Sequence, residues 1–384
     1  MTSTTTHPLL AAHDDGARWT TAEIGQQPRL WRALAARAAD DAETAAFLAP
    51  LLARGDLRVV LTGAGTSAFG GEILAPALRR AMARRVDAVA TTDLVSDPHG
   101  TFAEDLPTLL VSFARSGDSP ESVAATALAD QLLTDVHHLV VTCNPDGALA
   151  RDHGGRASSR VLVMPDGAND RGFAMTSSLT CMTLAVLLAF DRVDTDAVAR
   201  LADAVDRALP TLELDAAAHA DLDPVARVVH LGSGPLTGLA RESALKLLEL
   251  TAGRVITWFD SSLGFRHGPK ALLDDSTLTV VHVSTDPHTR AYDVDMVTEL
   301  SRSLPAGRVV VVTADRLPTL DLEQWTFPTL AGDPDELVAL AFVVASQVLA
   351  LRTSLALGLT PDNPFPSGEV NRVVAGVTIH GLDG

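Results

Sequence analysis

The sequence repeats itself. RVVLTGAGTSAFGGEILAPAL, beginning at Arg58, aligns without a gap on RVVHLGSGPLTGLARESALKL, beginning at Arg227, and sets Gly63 over Gly232 and Gly65 over Gly234. At the same offset of 169 residues, TLLVSFARSGD from Thr108 falls on TLTVVHVSTDP from Thr277; at an offset of 171, LVVTCN from Leu139 falls on VVVTAD from Val310. Three matched segments in one order mark a duplication, so whatever one copy folds into, the chain contains twice. Each copy reads as an apolar β-branched run, a glycine-rich turn, a helical stretch and further apolar runs, the order of βαβ crossovers in a parallel sheet. The runs VVL, LLVSF and LVVTC are continuously apolar rather than alternating, as expected of strands covered by helices on both faces. The expected fold class is α/β, with two tandem doubly wound parallel sheets.

A chain of 384 residues has room for two to three domains at roughly 150 residues each. The expected division is a helical lead-in over 1–50, a first α/β domain over 51–215, a second over 216–358 and a tail over 359–384. The tail carries Pro361, Pro364 and Pro366 without a helical period and reads as an extended segment over the core. SLTCMTLAVLLAF and ELVALAFVVASQVLAL are too short, or too interrupted by polar residues, for the roughly 20 residues of a bilayer crossing. They read as buried helices. The opening MTSTTTHPLLAAHDDGARW lacks a basic stretch followed by an apolar one, so no secretory signal is read there and a cytoplasmic location is expected. Cys143 and Cys181 are too few for a disulfide framework and have no metal-ligand spacing.

The formal charge of −18 argues against nucleic-acid and anionic-membrane partners, which need a basic surface. An anionic ligand therefore needs a local dipolar or positive pocket, and the first copy offers one. Strand VVL runs through TGAGTSAFGGE into a helix, where backbone N–H groups at Gly65 and hydroxyls of Thr66 and Ser67 can meet an anion at the positive helix end. The spacing fits neither a P-loop nor a dinucleotide fingerprint, and a tight turn with nothing bound accounts for it as well. The next strand ends in SFARSGDSPES. Pro120 suits a first helical turn and Ser119 an N-cap, which places Ser116, Gly117 and Ser119 at a second helix N-terminus beside Arg115. Ser119 read alone is a plain cap. In a doubly wound sheet, however, both turns leave the carboxyl edge, where ligands bind. A phosphate is the favoured ligand, and without a Walker lysine a monoester rather than a nucleotide.

The second copy has VSTDP where the first has FARSGDS, so the hydroxyl cluster is gone. In its place stand ESALKLLE (242–249) and GFRHGPK (264–270). Glu242, Lys246 and Glu249, at i, i+4 and i+7, share one stripe of an otherwise apolar helix. Lys246 and Lys270 are the only lysines in the chain. An i,i+4 pair is ordinarily a salt bridge worth a few tenths of a kcal/mol, and His267 before Gly268 and Pro269 has the look of a turn histidine. Against that, ionisable groups on an apolar helix are costly to bury unless paired or functional. Two carboxylates, an ammonium and an imidazole supply the general base and acid of aldose–ketose interconversion.

GAGTS, ARSGDS, ESALKLLE and FRHGP resemble the sugar isomerase (SIS) domain family, over a span from about Leu57 to the C-terminus. FARSGDSPESV, NDRGFAMTSSLTCM, FRHGPK and PDNPFPSGEVNRVVAGVTI look more closely like the subfamily of tagatose-6-phosphate ketose/aldose isomerases and galactosamine-6-phosphate deaminases. By similarity to the isomerase half of glucosamine-6-phosphate synthase, the resemblance implies that Thr66, Ser67, Ser116 and Ser119 hold the sugar phosphate, and that Thr176 and Ser177 contact the sugar. Glu249 would move the proton between C1 and C2, with Glu242 and Lys246 positioning it and stabilising an enediol-like intermediate. His267 would open the ring, reaching across from a neighbouring subunit, which implies a homodimer or higher homo-oligomer with the active site at the interface. No metal and no organic cofactor are expected.

One departure from that relative stands out. The synthase forms a Schiff base through a tail lysine, and Ala375 falls at that position; neither an N-terminal cysteine nor a glutaminase domain is read in the sequence. An aminotransferase is not expected. The resemblance implies conversion of galactosamine 6-phosphate to tagatose 6-phosphate and ammonia. The alternatives are a plain ketose/aldose phosphate isomerase, a deaminase or deglycase of another amino sugar phosphate, and a non-catalytic sugar-phosphate sensor. The last is weakened by the lack of a helix-turn-helix segment or basic patch.

Overall fold

The computed structural model describes residues 16–220, 225–372 and 376–382. The opening residues 1–15, part of the stretch read for a signal, and Ala375, set against the synthase's lysine, lie outside the described residues. Each copy forms a five-stranded sheet in which every pairing is parallel. The first contains β1 (Arg58–Gly63), β2 (Val86–Ala90), β3 (Thr108–Ala114), β4 (Val136–Thr142) and β5 (Ser159–Val163), in the order β2-β1-β3-β4-β5. The second contains β6 (Arg227–Gly232), β7 (Ile256–Asp260), β8 (Thr277–His282), β9 (Val309–Thr313) and β10 (Glu323–Thr326), in the order β7-β6-β8-β9-β10. Counted within its own copy, each sheet has the order 2-1-3-4-5 of flavodoxin-like folds. The duplication reaches down to register: Arg58 lies opposite Thr108, and Arg227 opposite Thr277.

The glycines that align in sequence do the same work in both copies. A Cβ on Gly63 would stand 2.7 Å from Ser67, and one on Gly232 2.5 Å from the Leu236 carbonyl oxygen, so each strand runs too close to its following helix for a side chain. Gly65 and Gly234 cap those helices at φ 54°, ψ −127° and φ 60°, ψ −127°, a region in which residues with a Cβ are strained.

The chain divides into two compact units. One holds the second sheet and comprises residues up to Arg32, Asp170–Ser177 and Asp196–Glu369; the other holds the first sheet and comprises Ala33–Asn169, Ser178–Thr195 and the residues from Val370. In the former, the Asp335–Ala356 helix packs on the Pro235–Leu250 helix. By length and composition it could cross a membrane, but 94% of its most apolar window is buried inside the protein. Its Ser354 hydroxyl donates to the Leu250 carbonyl at 2.5 Å, satisfying a C-terminal group of the neighbouring helix. In the tail, Pro361 and Pro364 are buried, whereas the described residues from Pro366 onward are exposed and form neither helix nor strand.

Among the core positions that differ in chemistry between the copies, two carry histidines in the second. His230 on β6 and His282 on β8 stand where the first copy has Leu61 and Phe113. Both are buried, their rings stack at 5.8 Å and 11°, and among the described residues no hydrogen-bond partner reaches their ring nitrogens. Burial pushes the His230 imidazole down to about 3. Burial, with the neighbouring His230, holds His282 well below the usual histidine range.

Candidate active site

At the carboxyl edge of the first sheet, the turns after β1 and β3 flank the point where strand order reverses, which is where doubly wound folds take ligands. Thr66 and Ser67 form the first helical turn after Gly65 and are buried. After β3, Gly117 takes φ 72°, and the Ser116 hydroxyl accepts from the Asp118 N–H at 3.3 Å. The loop is anchored from outside: Asn144 Nδ2 donates to the Ser116 carbonyl at 2.9 Å, and Asp118 accepts from the Ala148 N–H at 2.9 Å. Ser119 caps its helix as expected, accepting from the Ser122 N–H at 3.4 Å while donating to the Ser122 hydroxyl at 2.7 Å. Arg115 is buried, and its Nη2 donates to the Arg372 carbonyl in the tail at 2.8 Å. Gly65, Thr66, Ser67, Arg115, Ser116, Gly117 and Ser119 thus share one sheet edge.

In the unit that holds the second sheet, the polar stripe forms as the spacing predicts. Lys246 Nζ lies 2.5 Å from Glu249 Oε2 and 3.6 Å from Glu242 Oε1. The lysine side chain is 1% exposed and that of Glu242 0%, whereas Glu249 is 25% exposed. An ammonium so enclosed needs a partner to offset its desolvation, and the two carboxylates supply it. Glu249 is the member of the stripe that solvent reaches, so it is the one placed to exchange a proton. His267 follows the short Gly264–Arg266 turn and is exposed. Lys270 is paired with Glu299, which also accepts from Arg266 Nε at 2.8 Å.

Thr176 and Ser177 lie in the same unit, fully buried. Their hydroxyls are committed to the protein: Thr176 Oγ1 donates to Asp170 at 3.1 Å, and Ser177 Oγ donates to the Glu23 carbonyl at 2.7 Å. Glu23 itself escaped the sequence reading. It is buried, and its carboxylate accepts from the Arg171 N–H at 2.5 Å and the Gly172 N–H at 3.1 Å. Burial first, then nearby Asp170, pushes its carboxyl up to about 8. Nothing in TTAEIGQQP distinguishes this side chain from a solvated helix carboxylate, since its partners lie some 150 residues away.

The SIS domain family model matches residues 51–192. A Streptomyces coelicolor protein provisionally named D-galactosamine-6-phosphate deaminase AgaS is 59% identical, over 99% of this chain and 100% of its own length. The chain belongs to the galactosamine-6-phosphate deaminase branch of the SIS family. An Escherichia coli member of that branch, D-galactosamine-6-phosphate deaminase AgaS, is 45% identical over 94% of this chain and 95% of its own. The crystal structure of tagatose-6-phosphate ketose/aldose isomerase from Escherichia coli superposes with a TM-score of 0.89 at 41% identity, covering 96% of this chain and 99% of that one. Two SIS-type sheets from one duplication are therefore the architecture of this family member.

Proposed function

We propose that the chain is an isomerising deaminase that converts galactosamine 6-phosphate to tagatose 6-phosphate and ammonia. The observation that carries the reading is the buried Lys246 ammonium between Glu242 and Glu249. His267 opens the sugar ring. Glu249 takes the C2 proton of the open amino sugar and returns it to C1, while the ammonium stabilises negative charge that develops at the carbonyl oxygen. The enolamine becomes an imine at C2, and water hydrolyses it to the ketose and ammonia. Thr66, Ser67, Ser116 and Ser119, aided by two helix N-termini, hold the phosphate, with Gly65 and Gly117 admitting it to the backbone and Arg115 adding charge. Thr176 and Ser177 contribute to the sugar subsite through the loop that they hold in place.

A homodimer or larger homo-oligomer belongs to the same reading, with His267 serving a neighbouring subunit. It is supported by the exposure of His267 and by four exposed apolar side chains of the same unit: Leu248 (41%) on the Pro235–Leu250 helix, Ile256 (56%) and Trp258 (44%) on the edge strand β7, and Leu263 (44%) in the turn before His267. A cytoplasmic location belongs to the same reading.

The test is ammonia release from galactosamine 6-phosphate, with glucosamine 6-phosphate as the control and tagatose 6-phosphate assayed as product. Ammonia and tagatose 6-phosphate are expected in equal amounts; saturable binding without ammonia would point to a sensor or to another substrate. The phosphate assignment has its own test. Ser119→Ala is expected to cost about 1 kcal/mol of stability through the lost cap, seen in urea titration, and separately to raise KM with kcat little changed. A variant that loses stability but keeps its KM would reduce Ser119 to a cap.

A further inference from the structure

In the second copy, the strands that correspond to β1 and β3 are β6 and β8, and the turn after β6 keeps the first copy's backbone shape at Gly234. The crevice at this reversal point is filled from within. Asp293, on the Pro287–Ser303 helix, is 0% exposed. One of its oxygens accepts from the Ser233 hydroxyl at 2.7 Å and the Ser262 hydroxyl at 2.5 Å, and the other from the Ser284 N–H at 3.1 Å. Asp335 adds a second carboxylate, accepting from the Ser284 hydroxyl at 2.6 Å and the Thr285 N–H at 2.7 Å. The first copy's counterpart helix, Pro120–Leu132, has no carboxylate between Glu121 and Asp130.

The three donors to Asp293 belong to three different strand ends. Ser233 precedes the Pro235–Leu250 helix, which carries Glu249; Ser262 precedes the turn that carries His267; Ser284 follows β8. A buried carboxylate that loses such donors, or donors that lose it, costs more than the hydrogen bonds return, so these ends are held as a set.

We propose that Asp293 is a resident anion. Its carboxylate occupies, at the reversal point of the second sheet, the kind of place that the first sheet leaves for a phosphate, and it is the positioning residue that sets the Glu249 helix against the His267 turn. The roles of those two residues rest on the function proposed above; the anion itself does not.

The test uses two variants of the full chain. Asp293→Asn keeps the volume and removes the charge; it is expected to lower kcat by about 10- to 100-fold, the cost of misplacing reacting groups, with KM unchanged because the phosphate turns belong to the other sheet. Asp293→Ala leaves the donors facing a small cavity; millimolar formate is expected to raise its Tm and restore part of kcat, where chloride at equal ionic strength does neither and wild type does not respond. A kcat in Asp293→Asn within about twofold of wild type, or an equal formate response in wild type, overturns the proposal. The formate shift is read without turnover, so it decides the resident anion even if the substrate proves to be another sugar phosphate. Should Asp293→Ala fail to fold, the kcat and KM of Asp293→Asn decide.

Discussion

Glu249→Gln is expected to lower kcat for galactosamine 6-phosphate by about 10²- to 10⁴-fold, the usual worth of a positioned general base, with KM little changed. The amide matches the carboxylate in size and can still accept from Lys246, so packing on the stripe survives and the loss falls on proton transfer. The fully buried Glu242, 3.6 Å from the ammonium, continues to neutralise it. Exchange of the substrate's C2 hydrogen with solvent deuterium is the sharper readout, because it isolates the step assigned to Glu249 from imine hydrolysis and product release. A variant that retains near-wild-type kcat and exchange removes Glu249 from the mechanism.

The second large effect is on stability in acid. His230 and His282 are neutral in the fold, and burial holds both below the ordinary histidine value of 6.5, His230 at about 3. Their contribution is therefore intact above the unfolded value and is lost as pH falls, because the unfolded chain takes up protons that the folded chain refuses. At pH 5 the difference amounts to about 2 kcal/mol from His230 alone. The double variant His230→Leu with His282→Phe installs the residues that the first copy carries at these places. It is expected to lose less Tm than wild type between pH 7.5 and pH 5. An unchanged drop would place the acid-sensitive groups elsewhere.

The duplication was legible because it rests on local chemistry. Strand runs, close-approach glycines and the two caps at positive φ leave the same marks in both copies, and two parallel sheets follow from them, whereas the 2-1-3-4-5 order shows only in the strand pairing. The Glu242, Lys246 and Glu249 stripe was legible for a similar reason: helical period is a property of neighbours. Asp293 was not. In AYDVDMVTELS it sits among other acids and looks like part of a solvated face, and its burial depends on three strand ends brought together from Ser233, Ser262 and Ser284. Glu23 was hidden in the same way. Thr176 and Ser177 show the converse: resemblance alone set them at the sugar, and only their bonds to Asp170 and the Glu23 carbonyl reveal that they also hold their own loop in place.

The distribution of amines has a practical consequence. Of the two lysines, Lys246 is sealed in the core, while Lys270 keeps 32% of its side chain in solvent beside the His267 turn, and both cysteines are buried. Besides a terminal α-amine, which is less basic and can be labelled apart at lower pH, a succinimidyl ester added to the folded enzyme therefore finds one lysine. A fluorophore placed there would sit three residues from His267 without any engineered cysteine, so that the ring-opening role and the subunit association proposed above could be tested by emission from an otherwise native chain.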